Sequence, residues 1–174
     1  MKMKFIHGRD YKLKERGVAA VEFAIVISLL VLIIGGIIEF GRVLWYLDAL
    51  TKATRDGARF ISSVSVGQIG SLAVAATTPA DCNSYSPVTA NRLVYCAAVA
   101  AHLPGFTIGN VAVSCDGGSC TDNMIAPSYV TVTIEDYSVA FGSWFAIPLP
   151  SGQWPLTPHT TMRYMCEAGA TTPC

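Results

Sequence analysis

Residues Val18 to Ile38 read VAAVEFAIVISLLVLIIGGII, a run in which Glu22 is the only ionisable side chain. Wound as an α-helix rising 1.5 Å per residue, it measures about 31 Å, which matches a bilayer hydrocarbon core of about 30 Å. A secretory signal carries an apolar region of only about 7 to 15 residues before its cleavage site. The run therefore reads as a membrane-spanning helix, and the rest of the chain is organised around it. Lys2, Lys4, Arg9, Lys12, Lys14 and Arg16 precede it. By the positive-inside rule this basic leader, residues 1–17, stays in the cytoplasm and the chain beyond residue 38 is exported.

Composition agrees. Hydrophobic residues make up 52% of the 174 and charged residues 14%, against about 25% charged in soluble globular chains. The length suits one domain plus an appendage. The leader holds six of the twelve Lys and Arg, leaving six basic and ten acidic groups downstream. Phosphate-backbone binding has no electrostatic footprint there, so nucleic acid is excluded as a partner.

Past Ile38 the apolar residues Phe40, Leu44, Leu47, Leu50, Thr54, Ala58, Ile61 and Val64 recur every three or four positions, with Arg42, Asp48, Lys52, Arg55, Asp56 and Arg59 opposite them. That is helical spacing. It predicts an amphipathic segment, 39–66, continuing the spanning helix into water without a proline to interrupt it. Gly35-Gly36 and Gly57 are possible bends, each costing about 1 kcal/mol of helix propensity against alanine.

The exported part, 67–174, is expected to be an α+β domain. A loop of small and polar residues runs from Gly67 to Asn83, and Ser86-Pro87 offers an N-cap and first helical position for a helix reaching about His102. The period then changes to two. Ile108 to Ser114 and Tyr129 to Glu135 alternate as half-buried strands of an antiparallel sheet, while Val139 to Leu149 and Thr157 to Met165 are strand candidates confined to edges by their prolines.

All six cysteines, Cys82, Cys96, Cys115, Cys120, Cys166 and Cys174, come after the membrane run. Thiols confined to the exported side fit an oxidising compartment and disulfides. Six allow 15 full pairings; Cys115 with Cys120 is the first expectation, then Cys82 with Cys96 and Cys166 with Cys174. The CxxxxC spacing lacks a second compact Cys or His pair, which disfavours zinc.

The junction Glu15-Arg16-Gly17-Val18-Ala19-Ala20-Val21-Glu22-Phe23 joins a basic leader, a boundary glycine and a carboxylate five residues into an apolar helix. Gly17 leaves the backbone unhindered for a membrane protease. Glu22 either snorkels to the cytoplasmic headgroups or serves a partner, because an ionisable group in a spanning helix costs roughly 2.5 to 3.5 kcal/mol at its centre. Ala20, Ala24 and Ser28 form a small-residue stripe that either permits close approach of another helix or reflects the abundance of small residues in membrane helices.

Three blocks, Arg16-Gly17-Val18-Ala19-Ala20-Val21-Glu22-Phe23-Ala24, then Ile37-Ile38-Glu39-Phe40-Gly41-Arg42, then Thr54-Arg55-Asp56-Gly57-Ala58-Arg59, resemble the N-terminal signature of TadE-like proteins, pseudopilins of bacterial Tad (Flp-type, tight adherence) pilus systems. The resemblance covers about a quarter of the chain. It implies a minor pilin or pseudopilin in the inner membrane, cut between Gly17 and Val18 by a prepilin peptidase. It implies that Glu22 pairs with the new N-terminal amine of a neighbouring subunit, and it marks Glu39, Gly41, Arg42, Arg55, Gly57 and Arg59 as family-motif positions. The expected partners are that peptidase, other pilins or pseudopilins, the inner-membrane platform of a Tad system, and membrane lipid. No cofactor and no small-molecule substrate are expected. Val18-Ala19-Ala20 departs from the phenylalanine-threonine-leucine type run of type IVa pilins and favours the Tad branch.

Two rival readings are testable. An enzyme is disfavoured because His102 and His159 sit in no nucleophile or metal motif, and because Glu135 and Asp136, as strand neighbours, would point to opposite faces. An uncleaved, membrane-anchored binding or adhesin domain is the other, with Trp144, Phe145 and Trp154 forming either a contact patch or a small core.

Overall fold

The computed structural model describes residues 10–73, 82, 88–122, 125–140 and 153–165, with side chains from Gly17 onward. Helix α1 (Asp10–Ser62) is unbroken and continues through Gly35-Gly36 and Gly57. It begins inside the basic leader rather than at Val18. Most of its first half is exposed, Val18, Phe23, Leu29, Leu32 and Ile37 among them. The second half is buried along one side by Val43, Leu50, Ala53, Thr54, Ala58 and Ile61.

The expected apolar stripe and the buried face coincide only from Leu50 on. One turn earlier they part, because Glu39 and Val43 face the domain while Phe40, Leu44 and Leu47 face outward. Helix α1 stops at Ser62, short of Val64. The Ser62 and Ser63 hydroxyls donate to the carbonyls of Arg59 and Phe60 at 2.9 and 2.8 Å, a local competition that ends helices, and Ser65 is extended.

The segment expected as a loop from Gly67 contains a 3₁₀ turn (Val66–Gln68) and a short helix α2 (Ile69–Ala73). Ile69 and Ala73 are fully buried. The carboxylate of Asp122 accepts from Gly70 N and Ser71 N at 2.8 and 3.1 Å, satisfying donors that a helix start leaves open. This partner lies far away in sequence, so local composition did not reveal the helix. Helix α3 (Ala90–Ala100) starts after Thr89 as N-cap; the Ser86-Pro87 start lies outside the described residues.

Strands β1 (Val111–Cys115), β2 (Gly118–Ser119), β3 (Tyr129–Ile134) and β6 (His159–Arg163) form an antiparallel sheet in the order β2-β1-β3-β6. β4 (Ser138–Ala140) and β5 (Gln153–Pro155) form a separate two-stranded ladder. Residues 108–110, expected as strand, are a 3₁₀ turn whose start is fixed by a capping box between Thr107 and Asn110. β5 was not expected, and of the Val139 to Leu149 candidate residues 141–149 lie outside the described set. Thr157 to Met165 shortens to β6.

The sheet buries one face. In β3, Val130, Val132 and Ile134 are fully buried beneath α1 while Thr131 turns outward and bonds Thr161 of β6, Oγ1 to Oγ1, at 2.9 Å. Thr54 on α1 meets Thr160 of β6 at 3.0 Å. α3 covers the β1 end of the same face, so the C-terminal domain is the α+β sandwich of helices on one side of an antiparallel sheet. Disulfides join Cys115 to Cys120 and Cys82 to Cys96. The first closes the β1–β2 hairpin; Cys166 and Cys174 lie outside the described residues.

Candidate functional site

The sequence singled out three groups of residues, and α1 strings them along one rod. The junction group comes first. Gly17 is helical, with no neighbour within 4 Å of where a Cβ would stand. A protease that needs an extended backbone there must unwind this turn. Val18, Val21, Glu22 and Ile25 line a shallow exposed depression beside it.

Ala20, Ala24 and Ser28 are likewise exposed, but on another side. At 100° per residue their stripe is centred about 160° around the helix from Glu22. The carboxylate and the small-residue stripe therefore cannot serve the same neighbouring helix. The Ser28 hydroxyl is turned back to the Ala24 carbonyl at 2.8 Å, which keeps that face smooth.

The second group lies where α1 meets the domain. Glu39 is only 3% exposed, because its position four residues before Val43 puts it on the inward side of the helix rather than in a polar stripe. One of its oxygens accepts from Arg42 Nη2 at 2.7 Å. The same Arg42 nitrogen donates to the Ala140 carbonyl at 3.0 Å, and the guanidinium sits 5.9 Å from the Tyr46 ring centroid. The other Glu39 oxygen has no hydrogen-bond partner among the described residues. A buried carboxylate is costly unless paired, so Arg42 neutralises Glu39 while latching α1 to the end of β4. Arg42, expected on the solvent side, is thus half-buried. An acid and a base three residues apart on a helix was the signal for this pair. What sequence did not reveal was that it faces inward.

Tyr137 closes the same region. Its ring meets Phe106 edge to face at 5.1 Å and its hydroxyl donates to the Pro104 carbonyl at 3.2 Å. Burial, then the neighbouring Tyr46, push its pKa up to about 12, with Arg42 acting in the opposite direction. Gly41 has open space around it.

In the third group Arg55 and Arg59 are exposed, whereas Gly57 is buried against α3. A Cβ at Gly57 would lie 2.8 Å from Val94 Cγ2 and 3.4 Å from the Ala90 carbonyl. Gly57 is therefore a packing position that lets two helices approach, not a bend.

Glu135 and Asp136 lie beyond the end of β3, with Asp136 at φ +51°; they are turn residues, not strand neighbours, and their carbonyls accept from Asn110 Nδ2 at 3.0 and 3.1 Å. Among the described residues no three His, Cys, Asp or Glu side chains are grouped to hold a metal. Trp154 is 55% exposed on β5; Trp144 and Phe145 are outside the described residues.

Residues 17–59 match the family described as TadE-like protein. The match spans all three groups, beginning at the junction glycine and ending at Arg59, and bears out the resemblance read from the sequence. No curated protein and no solved structure matches the chain.

Proposed function

We propose, on the premise of a TadE-like first helix, that this chain is a membrane-anchored minor pilin or pseudopilin that takes part in assembly of a Tad-type pilus. The observation that carries this reading is the extent of the match: residues 17–59 cover both the exposed apolar half of α1 and the half packed on the sheet. α1 is the one helix among the described residues long and apolar enough to cross a membrane. TadE-like proteins are structural parts of pilus systems, so the role is architectural and the catalytic groups of processing belong to a prepilin peptidase.

In this reading the peptidase cuts after Gly17, freeing the amine of Val18, and Glu22 becomes the fifth residue of the mature chain. A carboxylate held in lipid is costly, and an ammonium from a neighbouring subunit offsets that cost while fixing the axial register between the two. The small-residue stripe, on the other side of the helix, meets a second neighbour. The inner membrane, with the domain outside, is its location, and the Tad platform and other pilins are its partners.

The two functions separate by mutation. Gly17→Val leaves an inserted but uncut precursor, and Glu22→Val is cut normally yet loses piliation or partner co-purification. Normal piliation in both variants contradicts the proposal and leaves an uncleaved anchored binding domain.

A further inference from the structure

The outward side of α1 stays apolar well past the segment needed to cross hydrocarbon. Ile37, Phe40, Leu44 and Trp45 are exposed on it, Trp45 at 65%, and the first outward charge is Asp48, paired with Lys52 at 2.6 Å. The two ionisable residues in between, Glu39 and Arg42, turn toward the domain and each other. From Gly17, where the basic leader ends, to Leu47 the helix covers about 45 Å. That exceeds a hydrocarbon core of about 30 Å but equals a bilayer with its headgroup layers, about 40 to 45 Å.

We propose that the turns from Phe40 to Trp45 form a lipid-contact surface that seats the base of the exported domain in the outer headgroup layer, with Trp45 as the interfacial anchor. The occupant is phospholipid, because this surface continues the spanning face without a break and ends at a charged pair. An indole suits the boundary, having an apolar body and one polar N–H. The Glu39–Arg42 latch lies at the same level, turned toward the domain and away from Phe40 and Leu44, with Arg42 about 60° around the helix from Trp45. The domain therefore meets the membrane with its ionic pair shielded and its aromatic residue outward. This proposal rests on α1 spanning the bilayer.

The test uses the full chain in phosphatidylcholine vesicles, with Trp144 and Trp154 replaced by phenylalanine so that Trp45 is the only indole. Quenchers carried at the headgroup and deep in the acyl chains report its depth. The expected result is a blue-shifted emission quenched more by the shallow probe than by the deep one. Moving the indole to Asp48 (W45F with D48W) should abolish that quenching. Emission typical of water overturns the proposal, as does blue-shifted emission that neither probe quenches, which would mean that protein covers Trp45. In the unmodified chain a photoactivatable phospholipid with a headgroup-proximal diazirine should label the tryptic peptide from Val43 to Lys52; labelling confined to residues before Val43 overturns it too. Carbonate extraction separates the two readings, since release from the vesicles contradicts spanning itself, whereas retention without shallow quenching contradicts only the seating.

Discussion

Gly57 on α1 and Val94 on α3 touch so closely that a methyl group on the glycine would stand 2.8 Å from Val94 Cγ2. Val94 is fully buried and can yield little, being β-branched and fixed in its rotamer. The two helices cross over the sheet at this point, so a side chain here pushes α3 away from α1.

Gly57→Leu should therefore destabilise the C-terminal domain by about 1 to 3 kcal/mol, the usual cost of overpacking a core. Gly57→Ala is milder, since a gain of about 1 kcal/mol in helix propensity offsets part of the clash. Limited proteolysis of the domain checks both. Equal resistance of the leucine variant and the native chain would show that the contact is slack.

Arg42→Met should cost more than Glu39→Gln. Removing the guanidinium strands a buried carboxylate, a loss of about 3 to 5 kcal/mol for a broken buried pair, whereas glutamine leaves the Arg42 cation without its counter-ion but partly solvated and still bonded to the Ala140 carbonyl. Joint replacement, Glu39→Leu with Arg42→Met, should recover much of the loss. Denaturant titration of the three variants measures the order, and a double variant no better than Arg42→Met would contradict the latch.

Asp122→Ala should loosen α2 specifically. It leaves the amides of half-buried Gly70 and exposed Ser71 without their acceptor, at about 0.5 to 1.5 kcal/mol because water can reach the freed donors. Hydrogen exchange of residues 69–73 should accelerate while that of β3 stays unchanged. Uniform acceleration would place Asp122 in the global fold instead.

The two disulfides should differ in weight. Loop-closure entropy predicts about 3 kcal/mol for a loop of about 15 residues and about 2 kcal/mol for one of about five. Cys82 and Cys96 are 14 positions apart and Cys115 and Cys120 are 5 apart. Replacing the first pair by alanine should thus lower resistance to unfolding more than replacing the second, and the reverse order would contradict this account.

Much of this architecture was legible because it is local. The period-two run at Tyr129, the apolar run at Val18 and the tight Cys115 to Cys120 loop each encode their element in a few adjacent residues. What escaped depends on distant contacts: α2 is held by Asp122, β5 by its pairing with β4, and Gly57 by Val94. The outward turn of Phe40 and Leu44 escaped for a different reason. Helical spacing locates an apolar stripe, but not whether protein or lipid lies against it. The motif positions were visible as residues; their division into an exposed junction, an inward latch and a packing glycine was not.

The central claim is that α1 of the working protein begins at Val18. Mass spectrometry of the N-terminal peptide of the protein isolated from its native envelope tests it most directly. This account predicts that the chain starts at Val18, with the leader through Gly17 absent. A chain that retains the leader while pili assemble normally would contradict it.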